Sequence, residues 1–261
     1  MSDVAALFNT LGGRYLSSMY TSNDWTRYVD KKEKEVIFRI LELNAKERVK
    51  KEKILDLGMG PGRWSKFFVE QGFSRVYGLD VAPKMVAYAR KNIQSKTFKA
   101  MVGDMRALPF EENFFDKVFS FRSFKYLYEP KVALGEIARV LNPSGIFLLE
   151  ISNKSLLNVL LVYLAKFMIR VNPGLPLESR WRYYLRVRFY TKEKIQNLVK
   201  DAGFRIITLE PLFILPSIPL PPNKQTVRFW RLLDRILFEI LPQKWFVRSW
   251  IFLMKKQKNA K

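Results

Sequence analysis

The run Ile54-Leu55-Asp56-Leu57-Gly58-Met59-Gly60-Pro61-Gly62-Arg63-Trp64 sets three alternate glycines between an apolar stretch and a helical one. Residues of this type and spacing cradle a ligand: glycine lets the backbone come close to it, and the first N–H groups of the following helix then face it. A dinucleotide fingerprint would need glycine where Arg63 stands, and a phosphate-binding P-loop would end in Gly-Lys-Ser/Thr, so both patterns are excluded. About 20 residues beyond the loop, Gly78-Leu79-Asp80 supplies a carboxylate at the spacing where an acid accepts hydrogen bonds from a ribose. Histidine and cysteine are absent from all 261 residues. That removes zinc fingers, disulfide frameworks, thiol nucleophiles and imidazole bases together, and leaves only a carboxylate-bound metal as plausible metal chemistry.

The elements that must hold these residues alternate between two periodicities. Short β-rich runs read at Lys53 to Leu57, Arg75 to Leu79, Phe98 to Val102, Phe115 to Phe121 and Gly145 to Ile151, with helical stretches at Arg63 to Glu70, Pro83 to Ile93 and Val132 to Leu141 between them. Such alternation predicts a parallel sheet covered by helices. Asn142-Pro143-Ser144-Gly145 reads as a breaker before the fifth strand. Upstream, Lys31 to Leu43 reads as a surface helix. Downstream come a long apolar helix within Ser155 to Val171, a helix capped by Thr191 and ended by Gly203, a strand at Phe204 to Leu209, an amphipathic helix at Val227 to Leu241 and a tail strand at Ser249 to Met254.

Taken with these elements, the glycine loop and Asp80 resemble the class I S-adenosylmethionine-dependent methyltransferases, in the branch of ubiquinone/menaquinone-biosynthesis C-methyltransferases. The resemblance covers about Lys53 to Ser152 and includes Val102-Gly103-Asp104-Met105, Phe115-Asp116-Lys117-Val118-Phe119-Ser120-Phe121 and Arg139-Val140-Leu141-Asn142-Pro143-Ser144-Gly145. It implies a Rossmann-like, seven-stranded, mostly parallel sheet with an antiparallel tail strand, helices on both faces and a helical lid. It also implies the cofactor S-adenosyl-L-methionine. Gly58, Gly60 and Gly62 would line its methionine and ribose portions, Asp56 would help hold its amino group, Asp80 would bind the ribose hydroxyls, Asp104 would contact the adenine amino group, and Met105 would offer a neighbouring N–H. Where relatives often carry histidines, this chain has Arg122-Ser123-Phe124-Lys125-Tyr126, so a base, if the acceptor must lose a proton, would come from Tyr15, Tyr126 or Glu150. No metal is expected.

The implied organisation is a core at 1–152 that includes N-terminal helices, an inserted lid segment at 153–190, and the end of the sheet at 191–261, with an amphipathic insertion at 211–248. Charge is distributed unevenly over it. Residues 1–150 carry 25 Lys+Arg against 18 Asp+Glu, net +7, and residues 151–261 carry 21 against 6, net +15, within a total of +22. An excess of that size favours an anionic partner, either an acidic membrane surface or nucleic acid. On helical spacing Lys154, Asn158, Lys166 and Arg170 leave a wide apolar face, while Arg228, Arg231, Arg235 and Glu239 lie opposite Phe229, Trp230, Leu233, Ile236, Leu237 and Ile240. Between these helices Arg180, Arg182, Arg186 and Arg188 alternate with apolar residues. The N-terminus shows no secretory pattern, and the longest uncharged stretch of the apolar helix, Ser155 to Ala165, is shorter than the about 20 residues of a spanning helix. The expectation is therefore a cytoplasmic methyltransferase, peripheral on the inner membrane face, acting on a small or lipid-like acceptor. An RNA methyltransferase and a non-catalytic membrane-surface protein are the competing readings, and nothing in the sequence addresses oligomeric state.

Overall fold

The computed structural model describes residues 3–11, 15, 24–44, 52–174, 186–212, 224–241 and 246–257. Its frame is one seven-stranded sheet in the order β3-β2-β1-β4-β5-β7-β6. The strands are β1 (Lys53–Leu57), β2 (Arg75–Asp80), β3 (Phe98–Val102), β4 (Phe115–Ser120), β5 (Leu141–Ser152), β6 (Phe204–Leu212) and β7 (Ser249–Lys256). β1 pairs in parallel with β2 and β4, β2 with β3, and β4 with β5, while β7 runs antiparallel to both β5 and β6. The expected sheet is therefore present, tail strand included.

Apolar alternation along the strands feeds two cores. On one face Leu55, Leu57, Phe115, Phe147 and Phe252 pack against α5 (Pro130–Val140) and α7 (Lys192–Asp201). On the other, Ile54, Val76, Phe119, Leu148 and Ile251 meet α2 (Asp24–Asn44) and α3 (Arg63–Glu70). Two more helices, α1 (Asp3–Leu11) and α4 (Pro83–Asn92), lie beside the β2–β3 end of the sheet, with Pro83 at the start of α4, where a missing N–H is harmless. α6 (Leu156–Val171) and α8 (Lys224–Ile240) form the two insertions.

Three readings need correction. The surface helix expected at Lys31 to Leu43 begins earlier, at Asp24; its outer side stays exposed at Lys31, Glu35 and Arg39, while its apolar side, with Val29, Ile37 and Ile40 buried, closes the second core and also buries Glu33. Asn142-Pro143-Ser144-Gly145 does not precede the fifth strand but lies inside it: β5 starts at Leu141, opposite Phe115, and the run is taken up where the register shifts before Lys117 meets Ile146. The tail strand reaches Lys256 rather than Met254. Of the alternating arginines, Arg180 and Arg182 lie outside the described residues. Arg186 to Tyr190 runs beside the core, where Arg188 N–H donates to Lys125 O (2.8 Å) and Tyr190 bridges Asn153 in parallel.

α6 is fastened to the sheet by polar groups. The buried Asn158 amide donates to Asn153 O (2.7 Å) and Arg248 O (2.9 Å), and Ser155 caps the helix by accepting from Asn158 N–H. Truncating a buried donor that serves two carbonyls costs about 1–3 kcal/mol. Asn158→Ala is expected to lower unfolding free energy by that amount in urea titrations. An unchanged midpoint would show that α6 is held by other contacts.

Candidate active site

The carboxyl ends of β1 to β4 open into a cleft whose space, open mouth included, is about 1110 Å³. It lies where the strand order reverses between β1 and β4, the place where open α/β sheets take ligands. The glycine loop forms its floor. Gly58, Gly60 and Gly62 all have positive φ (67°, 56° and 85°), which an L side chain rarely adopts. A Cβ at Gly58 would stand 2.3 Å from Ser123 Cβ, so the loop and the bend after β4 approach as closely as backbone allows. Gly60 instead has no atom within 4 Å of its Cβ position and lines the cleft.

Asp80, at the end of β2, holds this loop. Gly60 N–H donates to its Oδ2 (2.8 Å) and Ala82 N–H to its Oδ1 (2.8 Å). Burial pushes its carboxyl upward, against these hydrogen bonds. Each oxygen keeps acceptor capacity on a lining residue, so the arrangement fits a vicinal diol. Asp104 also lines the cleft, but its carboxylate is already forked by Arg106 (Nη2–Oδ2 2.7 Å, Nε–Oδ1 3.1 Å), which holds it below the usual carboxylate range. Met105 lines the same wall.

Other site expectations fare differently. Gly62 is not a lining residue: a Cβ there would meet Ile93 Cδ1 at 2.7 Å and Ala89 Cβ at 3.0 Å, so this glycine serves the packing of α4 against the loop. Asp56 does not face the cleft either. Alternation along β1 turns it to the α3 face, where Ser65 Oγ donates to its Oδ2 (2.7 Å). Of the candidate bases, Tyr15 and Tyr126 stand in the wall, whereas Glu150 is buried behind it and accepts from Arg122 N–H (3.0 Å). The inserted segment 153–190 contributes none of the described lining residues, since α6 is tied to the β5–β7 side. Cover comes from α1 instead, through Val4 and Phe8, with Phe8 edge-on to Tyr15 (5.6 Å) and Tyr126 (5.3 Å).

Sequence reasoning missed an ion cluster in the same wall. Arg63 pairs with Asp30 (2.6 Å) and Glu33 (2.8 Å) of α2, and Arg122, with φ 58°, pairs with Glu33 as well. Both arginines are lining residues of the cleft. Their acids could not be assigned from spacing, because α2 lies about 30 residues from Arg63 and about 90 from Arg122. The aromatic chamber was equally hidden, since Phe8, Phe121 and Tyr128 come from three separate segments.

Asp56 provides a pH test. Burial raises its carboxyl to about 7, against an ordinary value of 3.8. Between those values the folded protein keeps a proton that the unfolded chain has lost. Its stabilising contribution is therefore complete below about pH 4 and is lost as pH rises through about 7. Asp56→Asn preserves an acceptor for Ser65 and never ionises. Its unfolding free energy from urea titrations is expected to match the parent's near pH 4 and to exceed it at pH 8, by about 1 kcal/mol or more. Identical pH profiles would show that Asp56 is not held protonated.

Comparison with known proteins agrees with this geometry. A family model described as a methyltransferase domain matches residues 55–149. The chain is 30% identical over 192 residues to a demethylmenaquinone methyltransferase of Thermotoga maritima, covering 69% of this chain and 79% of that one. It is 32% identical over 116 residues to a malonyl-[acyl-carrier protein] O-methyltransferase of Hamiltonella defensa, covering 44% of this chain and spanning less than half (43%) of that relative. Among solved structures, a SAM-dependent methyltransferase of Thermotoga maritima superimposes with a TM-score of 0.60 at 18% identity, over 97% of this chain and 99% of that one, a likeness of fold. With the glycine loop, the Asp80 acceptor and the 3-2-1-4-5-7-6 sheet already in place, these matches show that the chain belongs to the S-adenosylmethionine-dependent methyltransferase family.

Proposed function

We propose that the protein transfers the methyl group of S-adenosylmethionine to a small, apolar or lipid-like acceptor, working as a peripheral enzyme at an anionic membrane surface. The observation that carries the reading is the division of one cleft into two halves. Gly58, Gly60, Asp80 and Asp104 give one part of the lining its polar groups, and Phe8, Tyr15, Phe121, Tyr126 and Tyr128 give the lining its aromatic rings, with Phe8 edge-on to Tyr15 and Tyr126. When bound, the cofactor supplies a methyl group on a cationic sulfonium.

The residues of the chain supply position. Asp80 and the glycine loop fix the ribose end, and the aromatic walls exclude water and favour a flat or greasy acceptor. An in-line displacement gains much of its rate from such placement. Where the acceptor must shed a proton, Tyr15 and Tyr126 are the phenols in the wall. The names of the relatives, a demethylmenaquinone methyltransferase and a malonyl-carrier O-methyltransferase, favour a quinone-like or acyl acceptor, and the excess of positive charge after residue 150 favours delivery from a membrane.

The test is transfer of label from methyl-labelled S-adenosylmethionine. Purified protein is incubated with lipid extracts, aqueous metabolite extracts and RNA from a strain lacking the gene. Label is expected in an organic-soluble product. Label confined to RNA, or no label in any fraction, would contradict the reading. Because the sulfonium is itself the electrophile, EDTA is expected to leave the rate unchanged; loss of turnover restored by Mg²⁺ would place a metal in the reaction.

A further inference from the structure

The two inserted helices are amphipathic in the inverted sense. On α6, Leu156, Leu160, Tyr163, Leu164, Phe167 and Val171 fall within about 100° of the circumference, and they are 41–65% exposed. The opposite side, which faces the protein, buries Asn158 and Ala165. α8 repeats the arrangement. Phe229, Leu232, Ile236 and Ile240 share a stripe of about 80° and are 40–71% exposed, while the buried Asp234 on the far side pairs with Lys32 of α2 (2.8 Å). A helix that covers a core does the reverse. Contiguous apolar surface of this kind marks a place where something apolar is met.

Charge identifies what is met. Lys166 and Arg170 stand exposed along one edge of the α6 stripe, and Arg228 and Arg235 along one edge of the α8 stripe; the only acid at that edge of α8, Glu239, pairs with Arg235 (3.9 Å). Face-to-face packing of two copies would bring these cations together, whereas an acidic lipid surface attracts them and accepts the stripes between its headgroups. No helix among the described residues is long and apolar enough to cross a membrane.

Position links this surface to the chemistry. α6 leaves the carboxyl end of β5, and α8 lies between the carboxyl end of β6 and the start of β7. Both insertions thus rise from the sheet edge that opens into the cleft. We infer that the exposed faces of α6 and α8 are the docking surface for an anionic bilayer and bring the cleft to the lipid phase. The inference rests on the membrane-surface reading above and names the residues that make the contact.

Co-sedimentation of the full chain with vesicles decides it. Binding is expected to phosphatidylglycerol/phosphatidylcholine vesicles and not to phosphatidylcholine alone, falling about tenfold or more in 0.5 M salt. Leu160→Glu with Phe167→Glu on α6, and Leu232→Glu with Ile236→Glu on α8, are each expected to reduce partition about tenfold or more, with unchanged melting temperature and unchanged affinity for S-adenosylhomocysteine. Indifference of the parent protein to acidic lipid at low salt would overturn the inference. So would full partition by both variants, or a soluble dimer that the α6 substitutions dissociate while vesicles remain unbound. Failure of the parent protein to bind S-adenosylhomocysteine would instead strike the methyltransfer reading, with the vesicle result still deciding the docking surface.

Discussion

A single carboxylate at the end of β2 organises the carboxyl edge of the sheet. Asp80 is nearly removed from water, yet its two oxygens are held by the N–H groups of Gly60 and Ala82, one from the glycine loop and one from the turn into α4. Burial pushes this carboxyl upward, and the backbone donors oppose that rise. The loop can reach the carboxylate only because Gly58 and Gly60 adopt positive φ, and because Leu79 O accepts from Gly58 N–H (2.7 Å) and Met59 N–H (3.1 Å). The remaining acceptor capacity of Asp80 then faces a cleft whose shape the same contacts maintain.

From that point the structure divides by polarity. Toward β2 and β3 the cleft is edged by carboxylates, backbone N–H groups and the Asp104–Arg106 fork. Toward β4 and α1 it is aromatic. An ion cluster closes the side near α2, where Glu33 bridges Arg63 and Arg122 and so ties α2 both to the glycine loop and to the bend after β4. The glycine loop and the bend after β4 are therefore both joined to α2, and displacement of α2 would disturb both.

Much of the frame was legible because period-2 and period-3.6 patterns in the core agree with local turn chemistry. Pro83 opens α4 and Thr191 caps α7, with each strand lying within a few residues of its expected place. Local spacing also brought out Gly58, Gly60 and Asp80, which act within one loop and its neighbouring strand. It could not say which way Asp56 faces, because one step along β1 moves a side chain to the other side of the sheet. Nor could it assign Gly62 to the packing of α4, or Glu150 to the backbone of Arg122, since those partners come from distant segments. The amphipathic insertions were visible as patterns, but whether an apolar stripe points inward or outward depends on anchors such as Asn158 and Asp234, which only the packed structure identifies.

Binding at Asp80 is where the account stands or falls. Isothermal calorimetry with S-adenosylhomocysteine, on the parent protein and on Asp80→Ala, measures it without any knowledge of the acceptor. Loss of charge-assisted hydrogen bonds to a ribose diol costs about 2–4 kcal/mol, so the variant should bind about 30-fold to 1,000-fold more weakly while still unfolding cooperatively. Equal affinity in the two proteins would contradict the assignment of the cofactor's ribose to Asp80.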